Sequence, residues 1–181
     1  MNQEDAQDPL PWTEEEIRHN VLAVVSLMIL ASILLVIQSW LFLPFYWLFW
    51  VLYFTVGRYF TCRHCDFLGK PCPSWCMGII GGWLYKRTDK KDFLENGPWK
   101  ALFFDVAFLA LANIYPYLVY GWILFQSGLN WLDWILLAIY SVLGFLTLYV
   151  HSRGCRKCPV EACPLSKSDS RSLKNMKEVE I

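Results

Sequence analysis

The chain has 181 residues and a formal net charge of zero, yet 56% of it is hydrophobic, 17% aromatic and only 18% charged. That composition suits a chain solvated by lipid better than a water-soluble domain. The balanced charge gives no bulk attraction for nucleic acid, so no nucleic-acid partner is expected.

The N-terminal stretch Met1–Glu16 is acidic and has no basic residue before Arg18. A cleaved secretory signal starts basic and is followed by a short apolar core, so the first apolar run is expected to remain as an anchor. Thr13 and Glu16 have the spacing of a capping box at a helix start. From Val21 to Gly57 no residue is charged. As one helix this run would be about 55 Å long, against a hydrocarbon core of about 30 Å, so it has to turn. Gln38-Ser39 and Pro44 supply the break, which predicts spans near Asn20–Gln38 and Pro44–Tyr59. Trp40, Phe42, Phe45, Tyr46, Trp47 and Trp50 surround it as an interfacial aromatic belt would.

The polar segment 60–99 carries a group of cysteines, then Met77–Tyr85, then a basic run from Lys86. Met77–Tyr85 is too short to span and is expected to lie in the membrane interface. A third span is predicted over Ala101–Phe125, with Asp105 about one turn in and Asn113 near its middle. A fourth covers Trp131–Val150, and the tail from Ser166 is charged and expected to be disordered. The domain plan is therefore an acidic lead-in at 1–19, a transmembrane hairpin at 20–59 and a Cys-rich loop at 60–99. A second hairpin at 100–150, a second Cys motif at 151–165 and a tail at 166–181 follow.

Charge placement sets the expected topology. With four spans, all 16 Lys and Arg fall on the side of the N-terminus, the long loop and the C-terminus, while the two opposite turns carry none. The positive-inside rule makes that side cytoplasmic, which predicts a multi-pass protein of the cell (inner or plasma) membrane with both termini in the cytoplasm. The seven cysteines share that side. The fold class expected is an all-α integral membrane protein of four helices with a cytoplasmic cysteine-rich cap.

The two cysteine groups are Cys62-Arg63-His64-Cys65 continuing to Cys72 and Cys76, and Cys155-Arg156-Lys157-Cys158 continuing to Cys163. Each follows an apolar hairpin, starts C-R-[HK]-C and contains C-P, a pattern that reads as a weak internal repeat. In a reducing compartment C-x-x-C points to metal or redox chemistry rather than to a structural disulfide. Two thiolates three residues apart in a turn can both reach a metal at about 2.3 Å. Basic neighbours such as Arg63 and Arg156 are expected to lower the thiol pKa and favour the ligand form.

Cys62, Cys65, Cys72 and Cys76 make up one tetrahedral ligand set. Cys155, Cys158 and Cys163, with His151 as the fourth ligand, make up another. A split site joining Cys62 and Cys65 to Cys155 and Cys158 fits the sequence equally well. Zinc is the expected metal and an iron–sulfur cluster the alternative, although neither group keeps the ferredoxin spacing C-x2-C-x2-C-x3-C-P. Asp105, inside an apolar run, either faces a cavity or a partner or snorkels to the interface.

No phosphate loop, nucleophile elbow or H-E-x-x-H is present, so the sequence assigns no enzymatic reaction. The expected function is a structural or adaptor component of a membrane complex, partnered by the bilayer and by a complex subunit of unknown identity. The alternatives are an iron–sulfur redox protein fed by a cytoplasmic electron donor and a thiol-based metal-transfer protein.

Overall fold

The computed structural model describes residues 11–63, 65, 67–72, 74–88 and 98–157, without the side chains of 98–102. Helix α1 (Glu14–Gln38) starts six residues earlier than the apolar run requires, because the capping box is real. The Thr13 hydroxyl accepts the Glu16 N–H at 3.2 Å and the Glu16 carboxylate accepts the Thr13 N–H at 3.1 Å. These bonds satisfy helix-start donors and carry the helix beyond its apolar part.

The turn falls at the expected place. Extended backbone at Ser39 ends α1, and its hydroxyl accepts the N–H of Leu41 to start a 3-10 turn at Trp40–Phe42. Helix α2 (Leu43–Leu52) follows with Pro44 in its first turn, where a missing N–H costs no intrahelical bond. The hydrogen-bond ladder then widens into a π-helical stretch, Tyr53–Gly57, and tightens again in α3 (Arg58–Cys62). The second span therefore runs three residues past Tyr59 and ends on Cys62.

Helix α4 (Met77–Leu84) is short. Helix α5 (Pro98–Ser127) holds Pro116 internally, and α6 (Trp131–Arg156) continues beyond Val150 through His151 and Cys155. An unanticipated capping box starts α6, with Asn130 as the cap and Asp133 reaching back to the Asn130 N–H at 3.0 Å. No strand occurs among the described residues.

Four helices are long and apolar enough to cross a membrane: Glu14–Gln38, Trp40–Cys62, Phe103–Ser127 and Trp131–Arg156. They pack as two antiparallel pairs, first with fourth and second with third. In the first pair Trp12 Nε1 donates to the Gly154 carbonyl at 2.9 Å and Lys157 meets Glu16, while at the far end Gln38 donates to Asp133 at 2.9 Å. In the second, the rings of Phe49 and Tyr115 meet at 5.4 Å near one end and those of Phe60 and Phe104 stack at 5.4 Å near the other. Exchanging the two hairpins maps the first–fourth contact onto the third–second contact, so the packing is compatible with the repeat.

The core is built from Leu27, Ala31, Leu34, Leu35, Tyr46, Trp50, Tyr53, Ala112 and Tyr120. Large apolar side chains such as Leu22, Ile33, Trp47, Leu118, Phe125, Phe145 and Tyr149 cover the outside. An outward apolar surface of this extent is what helices solvated by acyl chains present, and it is unfavourable in water.

Candidate functional site

The antiparallel pairing puts Glu16, Arg58, Cys62, Asp105 and the α6 segment from His151 to Lys157 at one end of the bundle. The cysteine loop sits at that end. Cys62 and Cys72 are buried, and with Met77 they form a small apolar cluster of their own, packed by Phe54, Phe67, Leu68 and Tyr85. Cys65 and Cys76 are half-buried.

The local chain explains why Cys72 is held. Trp75 and Cys76 both take left-handed backbone, at φ 56° and 57°. Such a conformation costs about 1–3 kcal/mol in a residue with a side chain and persists only where the surroundings enforce it. It turns the chain so that α4 starts at Met77 with its first N–H groups facing back. The Gly78 N–H donates to the Cys72 sulfur at 3.2 Å, while the Met77 N–H closes the turn on the Ser74 carbonyl at 3.0 Å.

Gly78 is required by the close approach. A Cβ there would stand 2.5 Å from the carbonyl oxygen of Phe67 and nearer still to that of Lys70. The Gly78 carbonyl also accepts the Gly69 N–H at 2.8 Å, which docks the turn flat on α4.

Tyr85 ties this assembly to the second span. Its hydroxyl reaches the carbonyls of Phe54 and Thr55 at 2.7 and 2.6 Å. A π-helical stretch displaces carbonyls from the regular ladder, and here the phenol supplies their donor. Burial pushes the Tyr85 hydroxyl up to about 12, so it remains a donor at neutral pH.

The Cys72 and Cys76 thiols depart from the ordinary thiol value. Both are raised. Burial is the main cause in each, and at Cys72 it outweighs the backbone donors and the charge of Arg58.

Asp105 does not snorkel. It is 3% exposed and turned onto Arg58, whose Nε lies 3.1 Å from Asp105 Oδ1. The guanidinium also donates to the Tyr53 hydroxyl, and it lies over the rings of Tyr53 at 4.9 Å and Trp75 at 5.8 Å. Arg58, Tyr53, Trp75 and Tyr85 are therefore part of the site although the sequence did not single them out. One signal was available for Arg58: it is the first charge after the uncharged run and faces Asp105, the lone acid inside another span.

The second cysteine group meets the first through Trp75. Its indole packs on the His151 ring at 4.8 Å, and one turn along α6 the Cys155 sulfur lies 3.5 Å from His151 Nε2. Trp12 adds a second bridge, with its ring 4.8 Å from Phe67. Cys158 and Cys163 lie outside the described residues, so the split site and the second full ligand set are without geometry. Among the described residues, no three Cys, His, Asp or Glu side chains stand close enough together to hold a metal ion as placed. No family model, curated protein or solved structure matches the chain.

Proposed function

We propose that this is a four-span protein of the cell (inner or plasma) membrane with cytoplasmic termini, whose cysteine loop forms a cap that binds zinc through Cys62, Cys65, Cys72 and Cys76. It acts as a structural or adaptor component of a membrane complex. The observation that carries this reading is the Cys72 sulfur, buried in one cluster with Cys62 and accepting the Gly78 N–H at 3.2 Å. Such donors stabilise sulfur carrying negative charge, while burial disfavours that charge unless a cation is bound.

Zinc supplies the cation and accepts four thiolates tetrahedrally. The four sulfurs do not stand in a ligating cluster, so binding includes a rearrangement of the turns that carry Cys65 and Cys76. Metal binding and ordering of the cap then share one free energy.

A second reading, an iron–sulfur protein passing electrons from a cytoplasmic donor into the membrane, draws on a different observation. The rings of His151, Trp75, Trp50 and Tyr46 touch in succession from the cysteine loop into the bundle, at 4.8, 6.2 and 6.3 Å. Metal analysis and a visible spectrum of protein purified without oxygen decide the matter. About one zinc per chain and no visible absorbance support the zinc cap. A brown protein that bleaches on reduction supports the cluster. Absence of any metal from protein that still reacts fully with thiol reagents overturns both.

A further inference from the structure

We propose that the groove between α5 and α6 binds a lipid-soluble molecule carrying a carbonyl oxygen on an apolar ring, a molecule of the quinone class. The proposal takes Trp75 where the fold holds it, one residue before Cys76, and none of its other residues belongs to the cysteine loop.

The two helices of the second hairpin are joined chiefly by long side chains. Tyr140 donates to the Asn113 carbonyl at 3.1 Å, and the Tyr117 hydroxyl meets Ser141 at 2.7 Å. Between these struts lies a groove of about 330 Å³, lined by Leu109, Asn113, Tyr117, Gly144 and Phe145 among others. That volume is within the range of small-molecule sites. A recess of about 10 Å³ shares Leu109, Asn113, Gly144 and Leu148 with the groove and reaches Trp50, Trp75 and Thr147. It has room for a single oxygen-sized occupant.

The polar groups around the recess specify that occupant. Trp75 is 5% exposed and its indole N–H has no acceptor. Asn113 donates one amide hydrogen to the Leu109 carbonyl at 2.7 Å, and a carboxamide carries two. The hydroxyls nearby are committed as donors, Thr147 to the carbonyls of Ala23 and Leu143, and Ser141 to that of Leu137. The Trp75 indole N–H and the second Asn113 amide hydrogen border the recess, and an acceptor oxygen on an otherwise apolar body is the complement of both.

Depth excludes the bilayer's own ester carbonyls. Asn113 and Gly144 lie near the middle of spans Phe103–Ser127 and Trp131–Arg156. At 1.5 Å per residue that is about 15 Å from either end, half the thickness of the hydrocarbon core. Phospholipid ester groups remain at the interface, so the acceptor belongs to a molecule that enters the interior. Gly144 leaves a flat floor for a ring, because a Cβ there would meet nothing nearer than Leu27 at 4.0 Å.

The test uses the full chain in detergent and three probes: a fully ring-substituted decyl-benzoquinone, which has no free ring position for thiol addition, decylbenzene, and phosphatidylcholine. The quinone should raise the melting temperature saturably, and the other two should not. Gly144→Phe should fill the groove and abolish the shift. Asn113→Leu, which keeps apolar volume but removes the donor, and Trp75→Phe should each raise the half-saturating concentration about tenfold. The proposal is overturned if the quinone gives no saturable shift. Equal stabilisation by decylbenzene or phosphatidylcholine overturns it too, since the groove then holds an acyl chain. So does a quinone response that survives both Gly144→Phe and Asn113→Leu.

Discussion

Arg58 Nε lies 3.1 Å from Asp105 Oδ1, and both side chains are 4% exposed. The contact crosses from the second span to the third, one turn below the cysteine loop. Desolvating two charges is expensive, and their attraction offsets that cost only while both remain. Asp105→Asn should therefore lower stability by about 3–5 kcal/mol, because it strands a buried guanidinium. The double change Arg58→Met with Asp105→Leu should cost less than either single. Thermal melting in detergent reads this directly, and a silent Asp105→Asn would mean that the pair contributes no net stability.

Gly78→Ala should open the cysteine loop without disturbing the four long helices. The added methyl meets two backbone carbonyls, those of Phe67 and Lys70, which cannot rotate away as a side chain would. Overpacking of this kind costs about 1–3 kcal/mol, so alkylation of Cys62 and Cys72 should accelerate roughly tenfold or more with helical content unchanged. Unchanged alkylation would show that the turn at 67–70 does not control access to the thiols.

Tyr85→Phe removes the donor shared by the Phe54 and Thr55 carbonyls. Leaving buried acceptors unpaired costs about 1–3 kcal/mol. Hydrogen exchange should rise at the π-helical stretch and in α4 together, because the phenol is what joins them. A rise confined to α4 would assign Tyr85 only a packing role.

The long elements were legible in the sequence because their signals are one-dimensional. An uncharged run too long for one crossing, a Pro where a second helix has to begin, and a capping box at Thr13 each fix an element without knowledge of its neighbours. What was not legible depends on contacts between distant parts of the chain. Asp105 looked like a candidate for snorkelling until Arg58 appeared across the helix pair. Burial, which only packing decides, sets the direction of the Cys72 and Cys76 shifts. The left-handed backbone at Trp75 and Cys76 had no sequence signal at all, since neither residue is Gly, Asn or Asp. The split-site alternative joined the second cysteine group to the first. His151 and Cys155 do meet it through Trp75, and Cys158 and Cys163 are outside the described residues.

The response to pH separates the metal-bound cap from the metal-free one, because the two slopes have opposite signs. Cys72 and Cys76 are both held above the ordinary value of 9.0 in the folded chain. In the metal-free protein the folded state keeps protons that the unfolded state has released. That contribution to stability is complete below pH 9 and is lost as the pH rises through the folded values. Zinc requires thiolate, so each thiol that ligates gives up one proton on binding. Below the thiol pKa, affinity should then rise by up to about tenfold per pH unit for every thiol displaced, and a raised pKa carries that slope across neutral pH. Chelator competition between pH 6 and 8 should show zinc binding that steepens with pH, while metal-free melting stays level over the same range and falls above pH 9. Cys72→Ser should reduce the slope of the zinc curve by one proton and bring metal content down. A zinc affinity independent of pH from 6 to 8 would remove all four cysteines from the ligand set, and the cap would then be held by packing alone.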